Sequence, residues 1–192
     1  MTGILRRFVA ATATVVALTA LTSSGALAAT LTPPPPAGAV CETSDGGTVC
    51  TWDEVFRTPF PVPYGVSCGT FVVRVNLSGE RHVIAFYGPS GSMERRIRHA
   101  RYEGTLINSV TGASVPHEGR FQIIDDVGAG TTTITGRLSH TVIPGEGLVW
   151  RNIGRIQMSL ANGAILFEAG EHGTWDVLGD PSVAAELCAA LS

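Results

Sequence analysis

The sequence predicts an all-β protein, an antiparallel meander β-barrel with a short C-terminal helix, and leaves a β-sandwich as the alternative. Three observations lead to this prediction. Strand-like segments follow one another from residue 70 to residue 169, and in the first of them apolar residues recur at every second position. Glycine and proline mark each gap between these segments, and no long crossover separates the strands. We prefer the barrel because closure removes exposed sheet edges.

Seven consecutive strands are predicted. The first begins at Thr70 and has a period of two in its apolar residues Phe71, Val73, Val75 and Leu77. The other six are Arg81 to Tyr87, Met93 to Asn108, Gly119 to Asp125, Thr131 to Ile143, Leu148 to Leu160 and Ala164 to Ala169. The preceding segment, Cys41 to Cys68, is rich in turn residues, and we expect it to wrap the outside of the fold.

The end of the chain changes to a helical period. Asp180 is a good N-cap, and Pro181 suits the first helical position. A single helical stripe then carries Val183, Ala184, Leu187, Cys188 and Leu191. We expect this helix to close against the sheet.

The chain begins with a predicted signal peptide, residues 1–28. Arg6 and Arg7 precede an apolar run, and Ala26-Leu27-Ala28 fits the small-x-small cleavage rule. The apolar run is too short and too often broken by threonine for a membrane anchor. Residues 29–40 then form a Pro-rich linker and residues 41–192 the folded domain, so the sequence predicts a secreted, extracellular protein.

The charge of the mature chain limits its partners. Loss of Arg6 and Arg7 from 13 basic residues leaves 11 against 16 acidic ones, a net charge of −5. Nucleic acids and anionic membranes need a basic surface, so neither is expected as a partner after cleavage. A small apolar ligand or an extracellular protein remains, and the sequence leaves the oligomeric state open.

The chain has four cysteines, Cys41, Cys50, Cys68 and Cys188. An even number in an exported chain indicates disulfides, and the spacing does not suit zinc. Of three possible pairings we favour Cys41–Cys50, around a strong turn signal, and Cys68–Cys188, which would tie the sheet to the helix. No metal and no cofactor is expected.

Two charged segments are interpreted as surface. The segment from Glu94 to Arg101 holds four arginines, and alternate residues of a strand point to opposite faces. We interpret it as a solvated strand that resists edge pairing, with an anion-binding patch as the alternative. Asp125-Asp126 offers too few ligands for calcium and is interpreted as a solvated turn.

His140 is the most informative of the histidines. The apolar residues Ile134 and Val142 predict an inner face for its strand, and His140 shares that face. On the next strand Trp150 and Asn152 lie on the predicted inner face, and pairing of the two strands would bring His140 opposite one of them. These three residues are candidates for lining a ligand pocket. The alternative is a His–Asn pair that only fills the core.

Two turn motifs lie in the stretch from Arg81 to Gly154. They are Asn108-Ser109-Val110-Thr111-Gly112 and Pro144-Gly145-Glu146-Gly147-Leu148-Val149. With them the stretch resembles small secreted proteins of high-GC Gram-positive bacteria, and its overall look is similar to eight-stranded barrels of the allene oxide cyclase or dirigent type. The resemblance implies a barrel and supplies no catalytic residues.

The sequence favours a protein that is not an enzyme, because it carries no G-x-S-x-G or H-E-x-x-H signature. The leading hypothesis is a secreted protein that binds a small apolar or amphipathic ligand or a protein partner. The alternatives are a cyclase-like or isomerase-like enzyme with a pocket around His140, and a structural or inhibitory exoprotein. An interior filled by side chains would favour a surface function, and an open pocket a ligand or a substrate.

Overall fold

The computed structural model describes residues 29–142, 149–171 and 181–192. In these ranges the elements are β1 (Val40–Ser44), β2 (Gly47–Arg57), β3 (Val62–Ser67), β4 (Val72–Tyr87), β5 (Met93–Asn108), β6 (Ser114–Asp126), β7 (Thr131–Val142), β8 (Val149–Ser159), β9 (Ile165–Glu171) and α1 (Pro181–Leu191). The predicted signal peptide, the turn at 144–148 and the helix cap Asp180 lie outside the described residues.

The strands form one antiparallel sheet in the order β1-β2-β4-β5-β6-β7-β8-β9, and β3 pairs with β4 beside β2. A mainly antiparallel sheet with a short C-terminal helix is therefore confirmed. Within the described ranges the sheet is not closed, because β1 and β9 are its edges and every residue of both is exposed. The first two predicted strands are a single strand, β4, because the alternation continues through Ser78-Gly79-Glu80.

The prediction that residues 41–68 wrap the outside of the fold is wrong. β2 lies inside the sheet, between β1 and the second half of β4. Its residues alternate, with Cys50 buried, Trp52 half-buried and Asp53 and Val55 exposed. The prolines lie after β2 and on β3, where few backbone hydrogen bonds between strands are needed. Because prolines are typical of turns, they obscured the strand pattern on either side of them.

Two core clusters lie on one face of the sheet, named here the inner face. The larger cluster packs under α1 and comprises Val66, Phe71, Val73, Val75, Leu106, Val115, Leu187 and Leu191. The smaller one, at the other end of β4, comprises Cys50, Ala85 and Tyr87. The odd-numbered residues of β4 contribute to both clusters, and the opposite face is named the outer face. The predicted closure of the helix against the sheet is confirmed.

Both predicted disulfides are confirmed. Cys41–Cys50 joins directly opposite residues of β1 and β2, and Cys68–Cys188 ties the end of β3 to α1. The second bridge spans a sequence separation of 120, and restricting a loop of that length in the unfolded chain is worth about 4–5 kcal/mol in the loop-entropy account. No helix in the described ranges is long and apolar enough to cross a membrane.

The predicted Pro-rich linker, residues 29–40, is partly docked on the domain. Thr32 donates its backbone N–H to the carbonyl of Gly91 at 2.8 Å. The hydroxyl of Tyr87 donates to the carbonyl of Pro33 at 2.9 Å. The start of this segment therefore lies against the hairpin between β4 and β5.

Candidate functional site

A polar cluster around His117 of β6 is buried on the inner face, where His117 is 2% exposed. The hydroxyl of Tyr102 donates to the carbonyl of Leu138 at 2.7 Å and lies 3.1 Å from Nε2 of His117. Because that hydroxyl has one proton, Nε2 of His117 is the donor to it, and Nδ1 accepts from Thr141 Oγ1 at 3.1 Å. The side chains thus link β5, β6 and β7.

Burial sets the protonation of this cluster. Desolvation lowers the pKa of His117 to about 4, so the imidazole is neutral at pH 7. Burial also raises the pKa of Tyr102 and of Tyr64, whose ring meets the imidazole edge-on with centroids 5.5 Å apart. A buried neutral imidazole with both nitrogens engaged is poorly placed to exchange a proton with a substrate. The arrangement therefore suits a structural role.

A second buried cluster surrounds Asp125, which is 4% exposed. Its carboxylate accepts hydrogen bonds from Arg96 and Arg98 at 2.9 Å and from Thr132 at 2.7 Å. Burial alone would raise the pKa of Asp125, but these hydrogen bonds and the two arginine charges lower it. The interpretation of residues 94–101 as solvated is therefore wrong for Arg98, whose side chain is 19% exposed, and holds only in part for Arg96 at 35%. The interpretation of Asp125 as part of a solvated turn is also wrong.

The inner-face position predicted for His140 is wrong. A β-bulge between Arg137 and Ser139 shifts the register of β7 against β8. A bulge adds one residue to one strand, so beyond it the residues that had pointed outward point inward. Ser139 and Thr141 are accordingly buried, and Val142 is 41% exposed.

The three predicted pocket residues consequently do not share one face. Arg151 lies opposite His140, and Trp150 and Asn152 flank Arg151 on β8. Asn152 is 1% exposed on the inner face. The side chain of His140 is 24% exposed, with Nδ1 3.3 Å from a carboxylate oxygen of Glu118. A shared pocket and a His–Asn core pair both require His140 and Asn152 on one face.

Three cavities lie on the outer face, with volumes of about 530, 880 and 640 Å³. The first and third share Val55, Glu80, Arg101 and Arg120. The first and second share Ser78, Glu103 and Glu118. The neighbouring cavities share lining residues, so they lie side by side along this face, and together they are named here the outer groove.

The outer groove has sheet backbone as its floor and outward side chains as its walls, since successive residues of each strand line it. Along β6 it runs from Pro116 to Gln122, which is about 20 Å at about 3.4 Å per residue. Its middle carries Glu80, Glu103, Glu118, Arg101, Arg120 and Arg137. Walls of this kind suit the recognition of a polar partner by ion pairs and hydrogen bonds.

The chain matches no protein-family model, no curated protein and no solved structure. The resemblance to small secreted barrels therefore stays a prediction. In the ranges that the structure describes, no three histidine, cysteine, aspartate or glutamate side chains come together as metal ligands would.

Sequence reasoning missed His117, although a signal for it exists. Val115 and His117 are buried and alternate with exposed Pro116 and Glu118, which is the pattern of a strand. The predicted strand began at Gly119 and so left out Pro116 and the residues on either side of it. Pro116 lies where β6 pairs only with β5, so a residue without an N–H is tolerated there.

Proposed function

We propose that the protein is an extracellular, non-enzymatic binding protein whose outer groove holds an extended segment of a protein partner. The adjacent placement of the three cavities along one face carries the proposal. A groove of about 20 Å accommodates about six residues of extended chain. Charged walls offer the complementary pairs that give specificity in protein recognition.

The small apolar ligand is the weaker alternative. Pockets for such ligands are lined mainly by apolar and aromatic side chains, whereas the walls of the outer groove are charged. The inner face is occupied by the protein itself, since Leu106, Thr141, Asn152 and Ile156 are each at most 1% exposed. The enzyme alternative depended on an inner-face His140, which instead forms a wall at one end of the groove.

We infer further that the sheet curls into a barrel left open between its edges, and that the chain is secreted. Ile134 of β7 and Ile156 of β8 are buried on the inner face, and opposing strands of a curled sheet would cover them. Two disulfides and the leader-like residues 1–28 favour export.

Filling the groove tests the proposed function. Ser78 lines both the first and the second cavity, so Ser78→Trp places an indole at their junction. Val72→Trp adds the same group to an exposed position of the same strand that borders none of the three cavities. The probe is an array of ten-residue synthetic peptides with varied charge patterns.

Wild-type protein and Val72→Trp are expected to bind the same subset of peptides, and Ser78→Trp to lose it. Binding by Ser78→Trp at wild-type level would contradict the proposal, as would the absence of any bound peptide. Native mass spectrometry of protein from its own culture medium gives a second test. A retained small apolar molecule would favour the ligand alternative instead.

A further inference from the structure

We propose that the outer groove selects a segment with one acidic and one basic side chain two residues apart, held by Arg120 and Glu103. The inference rests on the proposed function, because it takes the occupant of the groove to be an extended chain. It adds the chemistry by which that chain is recognised.

Two rows of like charge cross the middle of the outer groove. Arg101 lies directly opposite Arg120, and Arg120 lies opposite Arg137. Two residues further along β5 and β6, Glu103 lies opposite Glu118. Like charges directly opposite one another destabilise a sheet. Stability of the fold is therefore a poor reason for this pattern.

Part of this charge is neutralised inside the protein. The outer two arginines of the row each hold a carboxylate, Glu80 at 2.7 Å and Glu118 at 2.9 Å. Arg120 and Glu103 are exposed, and within the described ranges neither has an oppositely charged group at ion-pair distance. One cation and one anion thus remain unpaired on neighbouring strands of the same groove.

The spacing of these two charges matches an extended peptide. Arg120 and Glu103 are diagonal neighbours, a relation in which side chains start about 7 Å apart. Side chains i and i+2 of an extended chain share a face and lie about 6.8 Å apart. The planar guanidinium of Arg120 can bind a carboxylate through two parallel N–H···O bonds, while a partner cation pairs with Glu103.

The same two rows discriminate against uniformly charged partners. An acidic polymer that pairs with the arginine row brings further anions over Glu103 and Glu118, and such juxtaposition is repulsive. A uniformly basic segment meets the same obstacle at the arginine row. A segment of mixed charge satisfies both rows.

Double-mutant cycles between protein and peptide test the assignment. The probe is a ten-residue synthetic peptide with Glu-Thr-Arg at its centre, measured by fluorescence anisotropy, and a second peptide carries Arg-Thr-Glu because the segment can run either way. Replacing the peptide glutamate by glutamine is expected to weaken binding to wild type about five-fold and to leave binding to Arg120→Gln unchanged. Replacing the peptide arginine should behave in the same way with Glu103→Gln.

Arg74→Gln is the matched control, since Arg74 of β4 also lies on the outer face but borders none of the three cavities. In this variant each peptide substitution should weaken binding by the same factor as in wild type. Equal losses in all protein variants, or tighter binding of a Glu-Thr-Glu peptide, would overturn the assignment. In that case loss of binding in Ser78→Trp would still uphold the proposed function. If a free Glu-Thr-Arg tripeptide binds as tightly as the ten-residue probe, the occupant of the groove is a small zwitterion and the extended segment is ruled out.

Discussion

Strands β5 and β6 carry arginines on both faces, and the two faces use them differently. On the inner face Arg96 and Arg98 converge on the single carboxylate of Asp125. On the outer face Arg120 lies between two other arginines. A charge that is removed from water must be paired within the fold, whereas an exposed charge stays solvated. The arginines of β5 and β6 thus divide into an inner set that stabilises the fold and an outer set that a partner can reach.

The largest expected effect comes from removing the carboxylate that pairs with the two inner arginines. Asp125→Asn leaves two guanidinium groups without their counter-charge at a site where the aspartate side chain is 6% exposed. We expect the free energy of unfolding to fall by about 3 kcal/mol, near the lower end for a buried pair because Arg96 reaches solvent. Urea unfolding at pH 7 measures this.

An exposed pair provides the control for Asp125→Asn. Glu80→Gln removes the carboxylate that pairs with Arg101, where the two side chains are 55% and 70% exposed. Exposed pairs contribute less than about 1 kcal/mol. Equal losses of stability in the two variants would refute the division by face.

Acidic solution should destabilise the fold through the cluster around His117. The pKa of His117 is lowered to about 4, whereas an unfolded histidine titrates at about 6.5. Between these values only the unfolded state binds the proton, so stability is full above about pH 6.5 and is lost as pH falls to about 4. The loss is about 3 kcal/mol at about 1.4 kcal/mol per pKa unit. Urea unfolding at several pH values from 7 to 4 measures it.

Two histidine variants identify the source of that pH dependence. His117→Gln should flatten it, and His82→Gln, at a side chain that is 50% exposed, should retain it. If the dependence survives in His117→Gln, another group is responsible. Asp125 affects stability only in more acidic solution. Because its pKa is lowered, the stability that its carboxylate contributes is lost only as the pH falls below the ordinary range of an aspartate.

A smaller effect on stability is expected from removing the hydroxyl of Tyr102, which joins β5 to the bulge of β7. Tyr102→Phe removes a hydrogen bond to Leu138 and another to His117. We expect a loss of about 2 kcal/mol, because two part-buried hydrogen bonds are lost and one of the partners, His117, is a buried polar group. Tyr87→Phe, which removes a single bond to Pro33, should cost about 1 kcal/mol. Chemical denaturation measures both losses. A larger loss of stability in Tyr87→Phe than in Tyr102→Phe would count against a structural role for the cluster around His117.

The smallest expected effect is on the outer face. Arg120→Gln removes one of three adjacent like charges, so stability should stay the same or rise by up to about 0.5 kcal/mol. Thermal melting at low salt measures it. A fall of more than about 1 kcal/mol would mean that Arg120 stabilises the fold, and the contrast between the faces would disappear.

Local signals predicted much of the fold. The prediction for β5 matches both ends of the strand, because turn residues flank it on each side. The helix was placed by a change of period near Pro181. Both disulfides followed from a turn signal and from the expected packing of the helix on the sheet. Most of these features depend on residues that lie close together in the chain. The exception is the disulfide between Cys68 and Cys188, which joins distant residues.

The polar groups depend on features that one strand does not encode. The face of His140 was mispredicted because the bulge of β7 leaves no clear trace in its own apolar pattern. Asp125 has the same local sequence whether it ends in water or between two arginines, and only the register of β5 against β6 decides this. The outer groove combines short runs of residues from β2, β4, β5, β6 and β7, so no single contiguous motif predicts it.

The bridge between Cys68 and Cys188 closes most of the chain into a covalent ring. The whole run from β4 to β9 lies within its sequence separation of 120. A protease that cuts an exposed loop in this run, such as 127–130 or 160–164, opens the ring and leaves one molecule of almost unchanged mass. The two fragments separate only when a reductant cleaves the bridge and the sheet unpairs. Proteolytic nicks in these loops should therefore be invisible on a non-reducing gel and visible on a reducing one.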